Sequence, residues 1–262
     1  MNVYLMVDLE GISGIFTREQ VVPGDARYSE GRALMTREVN LAVQYLKEAG
    51  VEKVYVRDAH GGAMNLLWDK ITADAEYVIM GRSGEPRFPG IEDCDNVILL
   101  GYHAMAGTLN GILDHSMSSA SIQNYWINGE KAGETAIDAG IVGDMGKPVI
   151  MVSGDDKVCA EAKALLPWVI TCEVKKALNV FGGMLLTPER SAAMLRMKIF
   201  EAVENAPNCK PLVYEKPIKF RVELIERMPL PNTIARPHVK IIDGRTYEVE
   251  GMTMDEAFQH SH

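Results

Sequence analysis

Apolar and polar positions change period several times along the chain, and the changes mark its elements. Residues 1–7 form a short apolar run that stops at Asp8-Leu9-Glu10-Gly11, as expected of a buried strand with acids at its C-terminal tip. Between 30 and 49, Met35, Val39, Ala42, Leu46 and Ala49 recur at helical spacing on one face. Ser29 is placed to cap that helix and Gly50 to end it. Residues 51–56, Val-Glu-Lys-Val-Tyr-Val, read as a second strand, stopped by Arg-Asp-Ala-His-Gly-Gly. Strand, helix and strand in that order form a βαβ unit, which implies parallel pairing.

The pattern continues with strands at 77–80 and 96–100, then a strand at 121–128 that turns at Asn128-Gly129, a strong hairpin signal. A helix at 134–142, a strand at 148–152, a helix at 155–166 capped by Ser153 or Asp155, and a strand at 168–174 follow. After Gly182-Gly183 the texture changes. Thr187-Pro188-Glu189 opens a helix that runs to about residue 205, and six of the twelve prolines fall between Pro207 and Pro237. Strands at 220–225 and 238–249 close the chain. The predicted fold is α/β, a mostly parallel sheet flanked by helices with a smaller C-terminal α+β subdomain. The predicted division is a metal-binding catalytic domain at 1–183 and the subdomain at 184–262.

With 262 residues the chain can bury a real core, and 47% hydrophobic against 24% charged residues excludes disordered and fibrous classes. The balance of 27 basic and 36 acidic residues leaves a net charge of −9. That excludes the basic footprint of a nucleic-acid binder, and no polybasic stretch points to an anionic membrane surface. The longest uncharged stretch, 96–113, is too polar and glycine-broken to span a bilayer. Cys94, Cys159, Cys172 and Cys209 are widely spaced without a CxxC pair, which reads as reduced thiols in a cytoplasmic protein. The amino terminus lacks the basic region of a signal peptide. GxGxxG after a strand, the P-loop, HExxH and GxSxG are all absent, and Gly81-Arg-Ser-Gly84 has the wrong spacing for a nucleophile elbow.

Chemistry in an open parallel sheet gathers at the carboxyl ends of the strands. Those ends carry Asp8 and Glu10, then Asp58 and His60, then His103, with His115 and Glu134 shortly after. In an extended segment Asp8 and Glu10 would face one side, about 6–7 Å apart at their Cα atoms. Two converging carboxylates repel, and a divalent cation removes the conflict. With His60 and His103 the donor set mixes oxygen and nitrogen, which suits zinc best and also manganese or other first-row ions. Five or more donors exceed one tetrahedral zinc and favour two cations with a bridging carboxylate. Taken singly, each histidine reads first as a loop side chain satisfied by a backbone carbonyl, and it is their coincidence after strand-like runs that points to a metal site. His238 reads as structural.

Ordered blocks then resemble one family. They are MVDLEGISG at 6–14, VRDAH at 56–60, LGYHA at 100–104, DHSM at 114–117, INGEKAGE at 127–134 and MVSGDD at 151–156. Tyr28-x-x-Gly31-Arg32 with Met35, Thr36 and Glu38 belongs to the same pattern, and the likeness spans most of residues 1–215. The chain resembles the zinc D-aminopeptidases of bacterial dipeptide-transport operons. The resemblance implies two zinc ions per subunit held by Asp8, Glu10, His60, His103 and Glu134, with Asp8 as the bridge and His115 as the catalytic residue. It also implies a homodecamer with active sites facing an inner space, and hydrolysis of N-terminal, D-configured residues from short peptides. A dimetal phosphohydrolase would use the same donors, and a non-catalytic metal-containing binding protein is a third reading.

Overall fold

The computed structural model describes residues 1–79, 86–226 and 230–262. Its centre is β1 (Asn2–Val7), buried on both faces. Tyr4 and Met6 point into one apolar cluster and Val3, Leu5 and Val7 into another, the alternation that the pleat imposes. From β1 the chain enters α1 (Tyr28–Glu48), β2 (Lys53–Asp58) and β3 (Glu76–Val78), then β4 (Asn96–Tyr102). Next come β5 (Ile122–Ile127), β6 (Glu130–Ala132), α2 (Glu134–Asp144), β7 (Val149–Asp155), α3 (Asp156–Leu165), β8 (Ile170–Asn179) and β9 (Gly182–Leu185). The chain ends with α4 (Pro188–Asn205), β10 (Ile218–Leu224), β11 (Lys240–Ile241), β12 (Thr246–Gly251) and α5 (Met254–His260).

Seven strands order as β3-β2-β1-β4-β7-β8-β9, all parallel except the β8–β9 pair. The chain leaves β1 toward β2 and β3 on one side and returns at β4 on the other. The switch point of the sheet therefore lies between β1 and β4, where the strand ends open a crevice. α1 and α4 cover one face through Met35, Val39, Leu46, Leu195 and Ile199. The other face carries α2, α3 and a second, antiparallel sheet, β11-β12-β10-β5-β6. That sheet draws strands from both sides of residue 184, since β5 pairs with β10. Its inner residues Tyr125, Ile127, Phe220, Val222 and Val249 share a cluster with Tyr4, Met6 and Leu99.

Local signals explain most boundaries. Asp155 caps α3 by accepting from the Lys157 and Val158 amides, and Thr187 caps α4 ahead of Pro188. Asn128 and Gly129 take positive φ, 51° and 95°, in the tight β5–β6 hairpin. Three expectations shift. α1 starts at Tyr28, so Ser29 lies inside its first turn, and Arg27 at the cap position pairs instead with Glu30. The expected strand at 238–249 is a hairpin, because Asp243 Oδ1 accepts from the Arg245 amide and turns the chain between β11 and β12. β2 sits two residues later than the expected 51–56 strand. The last residue of the expected 77–80 strand, Met80, and the Gly81–Gly84 segment lie outside the described residues.

One close approach ties the strand ends together. The Asp8 amide donates to Leu100 O at 2.8 Å and the Gly11 amide to Gly101 O at 2.7 Å. A Cβ on Gly11 would stand 1.9 Å from Tyr102 O, a backbone atom that cannot step aside. Gly11→Ala should therefore destabilise the fold by about 2 kcal/mol or more. A denaturant midpoint equal to that of the unsubstituted chain would refute this close packing.

Candidate metal centre

Asp8 and Glu10 follow β1, His60 follows β2, His103 follows β4, and Glu134 opens α2. The structure brings all five to the β1–β4 crevice, with His115 beside them. The reason for the first pair differs from the extended-strand expectation. β1 ends at Val7 and the chain bends at Leu9-Glu10, and this bend turns both carboxylates onto one imidazole. His60 Nδ1 lies 3.1 Å from Asp8 Oδ1 and 3.0 Å from Glu10 Oε2. His103 Nε2 lies 3.3 Å from Asp8 Oδ2 and 3.2 Å from Glu134 Oε1. The two oxygens of Asp8 thus face two different histidines.

Each imidazole is pinned through its other nitrogen. His60 Nε2 donates to Val21 O at 2.8 Å, His103 Nδ1 to Ala104 O at 3.0 Å and His115 Nδ1 to Leu113 O at 2.9 Å. A carbonyl only accepts, so the second nitrogen of each neutral ring must point a lone pair into the carboxylates. Lone pair against carboxylate repels, and either a proton or a metal cation resolves it. His103 Nε2 and Glu10 Oε2 are buried without a well-aimed hydrogen bond, as donors awaiting a cation would be. Among the described residues two groups have the spacing for a metal ion, Asp8 with Glu10 and His103, and His103 with His115 and Glu134. Here a backbone carbonyl satisfies each histidine and also orients it as a donor, so the bland and functional readings coincide.

Charge follows from the same contacts. Burial pushes the Asp8 carboxyl up, but His103 and His60 beside it more than offset this and hold it well below the usual range. Burial likewise opposes ionisation of Glu134, yet His103 brings it down to about 2. His60 is pushed up to about 12 because Glu10 and Asp8 outweigh its desolvation. His103 rises well above its ordinary value against burial, driven first by Glu134.

Above this floor lies a cavity of about 500 Å³ whose walls include Val21, Val22 and Pro23 on one side and Met117, Val180 and Phe181 among the others. His115 stands at its edge, stacked on His103 with ring centroids 3.9 Å apart and Nε2 3.8 Å from Glu134 Oε1. Its loop is strained and tightly held. Leu113 and Met117 take φ of 54° and 60°, costing about 1–3 kcal/mol each. Asp155 Oδ2 accepts from the Ile112 amide, Val180 O from the Leu113 amide, and Glu134 Oε1 from the Met117 amide at 2.7 Å.

Supporting residues surround the donors. Arg87 clamps Asp138 with two hydrogen bonds of 2.9 and 3.0 Å and lies 3.7 Å from Glu134 Oε2, one helical turn away. Tyr102 donates its hydroxyl to the same Asp138. Asp58, at a strand end among the candidate acids, turns from the cluster and accepts from the Asn65 and His60 amides, shaping the His60 loop. His238 lies tilted against His260 in the C-terminal segment, ring centroids 4.4 Å apart. Lys175, buried on β8, was invisible to the sequence reading. Gly154 pairs with Glu173 but Asp155 with Lys175, so an extra residue at Val174 shifts the phase and sends Lys175 inward.

Carboxylates and imidazoles converging beneath a cavity form a donor set suited to a divalent cation. Comparison with known proteins narrows the class. The chain belongs to the D-aminopeptidase family of peptidases, whose family model matches residues 1–262. It is 34% identical over 217 residues to the D-aminopeptidase of Bacillus subtilis strain 168, covering 81% of this chain and 77% of that one. It also superposes on the solved Zn-dependent D-aminopeptidase DppA from Bacillus subtilis, a self-compartmentalizing protease. That match has a TM-score of 0.91 and 30% identity, covering 99% of this chain and 95% of the other. The family assignment makes the chain a peptide hydrolase and sets the phosphohydrolase reading aside.

The shifts imply a pH window for the chelated protein. Glu134 contributes stability fully above its ordinary value of 4.5 and loses it as pH falls toward 2. His60 contributes fully below its ordinary 6.5 and loses it as pH rises toward 12. Chelated protein should therefore be most heat-stable between 4.5 and 6.5 and weaken above that range. A bound divalent cation needs neutral imidazoles, so its added stabilisation should grow over the same rise. Thermal scans with and without chelator test both trends, and a chelated midpoint that climbs from about pH 6 to about pH 9 would contradict the imidazolium–carboxylate pairing.

Proposed function

We propose that this protein is a zinc-dependent aminopeptidase that removes N-terminal D-amino acids from short peptides, using two zinc ions per subunit. The observation that carries the reading is the convergence of Asp8, Glu10, His60, His103 and Glu134, with donor atoms buried and facing one another. Asp8 would be the ligand common to both ions, a role supported by its two oxygens facing separate histidines. The zinc dependence in the description of the structural relative favours zinc. The preference for D-residues rests on the family.

When bound, zinc supplies Lewis acidity, bringing the pKa of a water to about 7 and polarising a carbonyl. The residues of the chain do the rest. His115 is the proposed catalytic residue. Its Nδ1 proton is committed to Leu113 O, so Nε2 is the atom that takes or returns a proton at the cavity floor. Stacking on His103 and the strained 113–117 loop keep that ring in place. Glu134 accepts the Met117 amide and so locks this loop to the donor cluster. The walls built by Val21, Val22, Pro23, Val180 and Phe181 shield a short peptide from bulk water.

The same reading includes a homo-oligomer, a decamer, in the cytoplasm. Self-compartmentalization of the DppA relative supports assembly, as do the exposed Leu178, Phe181 and Met184 around the β8–β9 turn. The four free cysteines suit a reducing compartment, and among the described residues no helix is long and apolar enough to cross a membrane.

Chelation should abolish hydrolysis of a D-alanyl dipeptide, and zinc should restore it with two ions per chain by elemental analysis. Full activity of the metal-free protein would end this reading. His115→Ala should keep both ions yet lose about 10²–10⁴-fold in kcat. Undiminished turnover would make His115 a bystander.

A further inference from the structure

The segment from Glu10 to Ile15 is wound around a single point. Two of its amides donate away from the turn, Gly11 to Gly101 O at 2.7 Å and Ser13 to Glu38 Oε2 at 2.9 Å, while Ile12 donates to Leu9 O and Ile15 to Ile12 O inside it. Three of its carbonyls face inward, onto one ammonium. Lys175 Nζ donates to Glu10 O at 2.5 Å, Ile12 O at 2.9 Å and Ile15 O at 2.7 Å, which uses all three of its protons. The residue is 2% exposed and its donors go to neutral carbonyls. An ammonium is costly to bury, and these three hydrogen bonds satisfy it completely. Without it, three carbonyl dipoles would converge on a common spot and repel.

We infer that Lys175 is a positioning residue for Glu10: its ammonium is the internal cation that shapes the 10–15 turn and so sets where the Glu10 carboxylate stands. The inference rests on the proposed zinc centre, in which Glu10 is a ligand. The contact is made at the carbonyl of Glu10 itself, one residue from the glycine that fits against Tyr102 O, so the turn has little freedom to absorb its loss. The side chain of Glu10 reaches His60 Nδ1 at 3.0 Å from this fixed backbone. A β8 without the extra residue at Val174 would point Lys175 to the opposite face of the sheet.

The test is zinc titration of the chelated full-length chain, with hydrogen exchange at the Gly11 and Ser13 amides. Lys175→Met keeps length and apolar fit but has no donors. Its zinc affinity should fall about 10- to 100-fold while the chain stays folded, with faster exchange at Gly11 and Ser13 and unchanged exchange at Met117. Lys175→Arg retains the charge, so it is also the variant to use if Lys175→Met does not fold. Its planar fork cannot send three protons from a single nitrogen to the three carbonyls, and its zinc affinity should also fall, by about fivefold or more. Affinity within twofold of the unsubstituted chain in a folded Lys175→Met, or in Lys175→Arg, overturns the inference. Failure of the unsubstituted chain to bind zinc would instead overturn the zinc reading itself.

Discussion

Three imidazoles, each tied by one nitrogen to a backbone carbonyl, turn the other nitrogen onto shared carboxylates. Everything else at the centre depends on that constraint. It fixes the tautomer of His60, His103 and His115, and with it the direction of their free lone pairs. It also requires that Val21, in the β1–α1 connection, and Ala104 and Leu113, both in the β4–β5 connection, hold their carbonyls in place. The structure meets this requirement by packing those loops above the carboxyl ends of parallel strands that cannot slide without exposing apolar surface.

The sheet is thus more than a platform. β1 and β4 diverge at the switch point and deliver Asp8, Glu10 and His103 into the crevice. β7 and β8 support the loops from beside it: Asp155 holds the 112 amide while capping α3, and Lys175 gathers the carbonyls of the first loop. The β8–β9 turn ties back to Leu113 and brings Val180 and Phe181 to the cavity. Charges that would be costly alone are matched across this frame, as with Arg87 between Asp138 and Glu134.

Much of this was legible beforehand. The parallel core, the helices at α1, α3 and α4, the β5–β6 hairpin and the acids and histidines at strand ends follow from period and turn residues, since those signals are local, while the set of five donors comes from the family that the blocks resemble. What escaped has a non-local cause. The turn inside 238–249 is itself local, at Asp243-Gly244, but the place of β12 in the sheet comes only from its pairing with β10. Lys175 follows Val174 in a strand whose alternation would put it outside, and only the register against β7 shows otherwise. Arg87 and Asp138 carry no motif, and their pairing spans 51 residues.

Taken alone, the sequence determined the alternation of strands and helices, the acids and histidines at strand ends, and the family these blocks resemble. Each depends on residues near one another in the chain. Tertiary structure alone decided the joining of 122–132 with 218–251 into one antiparallel sheet, the bend that turns Asp8 and Glu10 onto His60, and the inward turn of Lys175. These are matters of register and close approach between distant segments. A pattern along one strand holds no record of the strand it will pair with, so only the folded chain settles them.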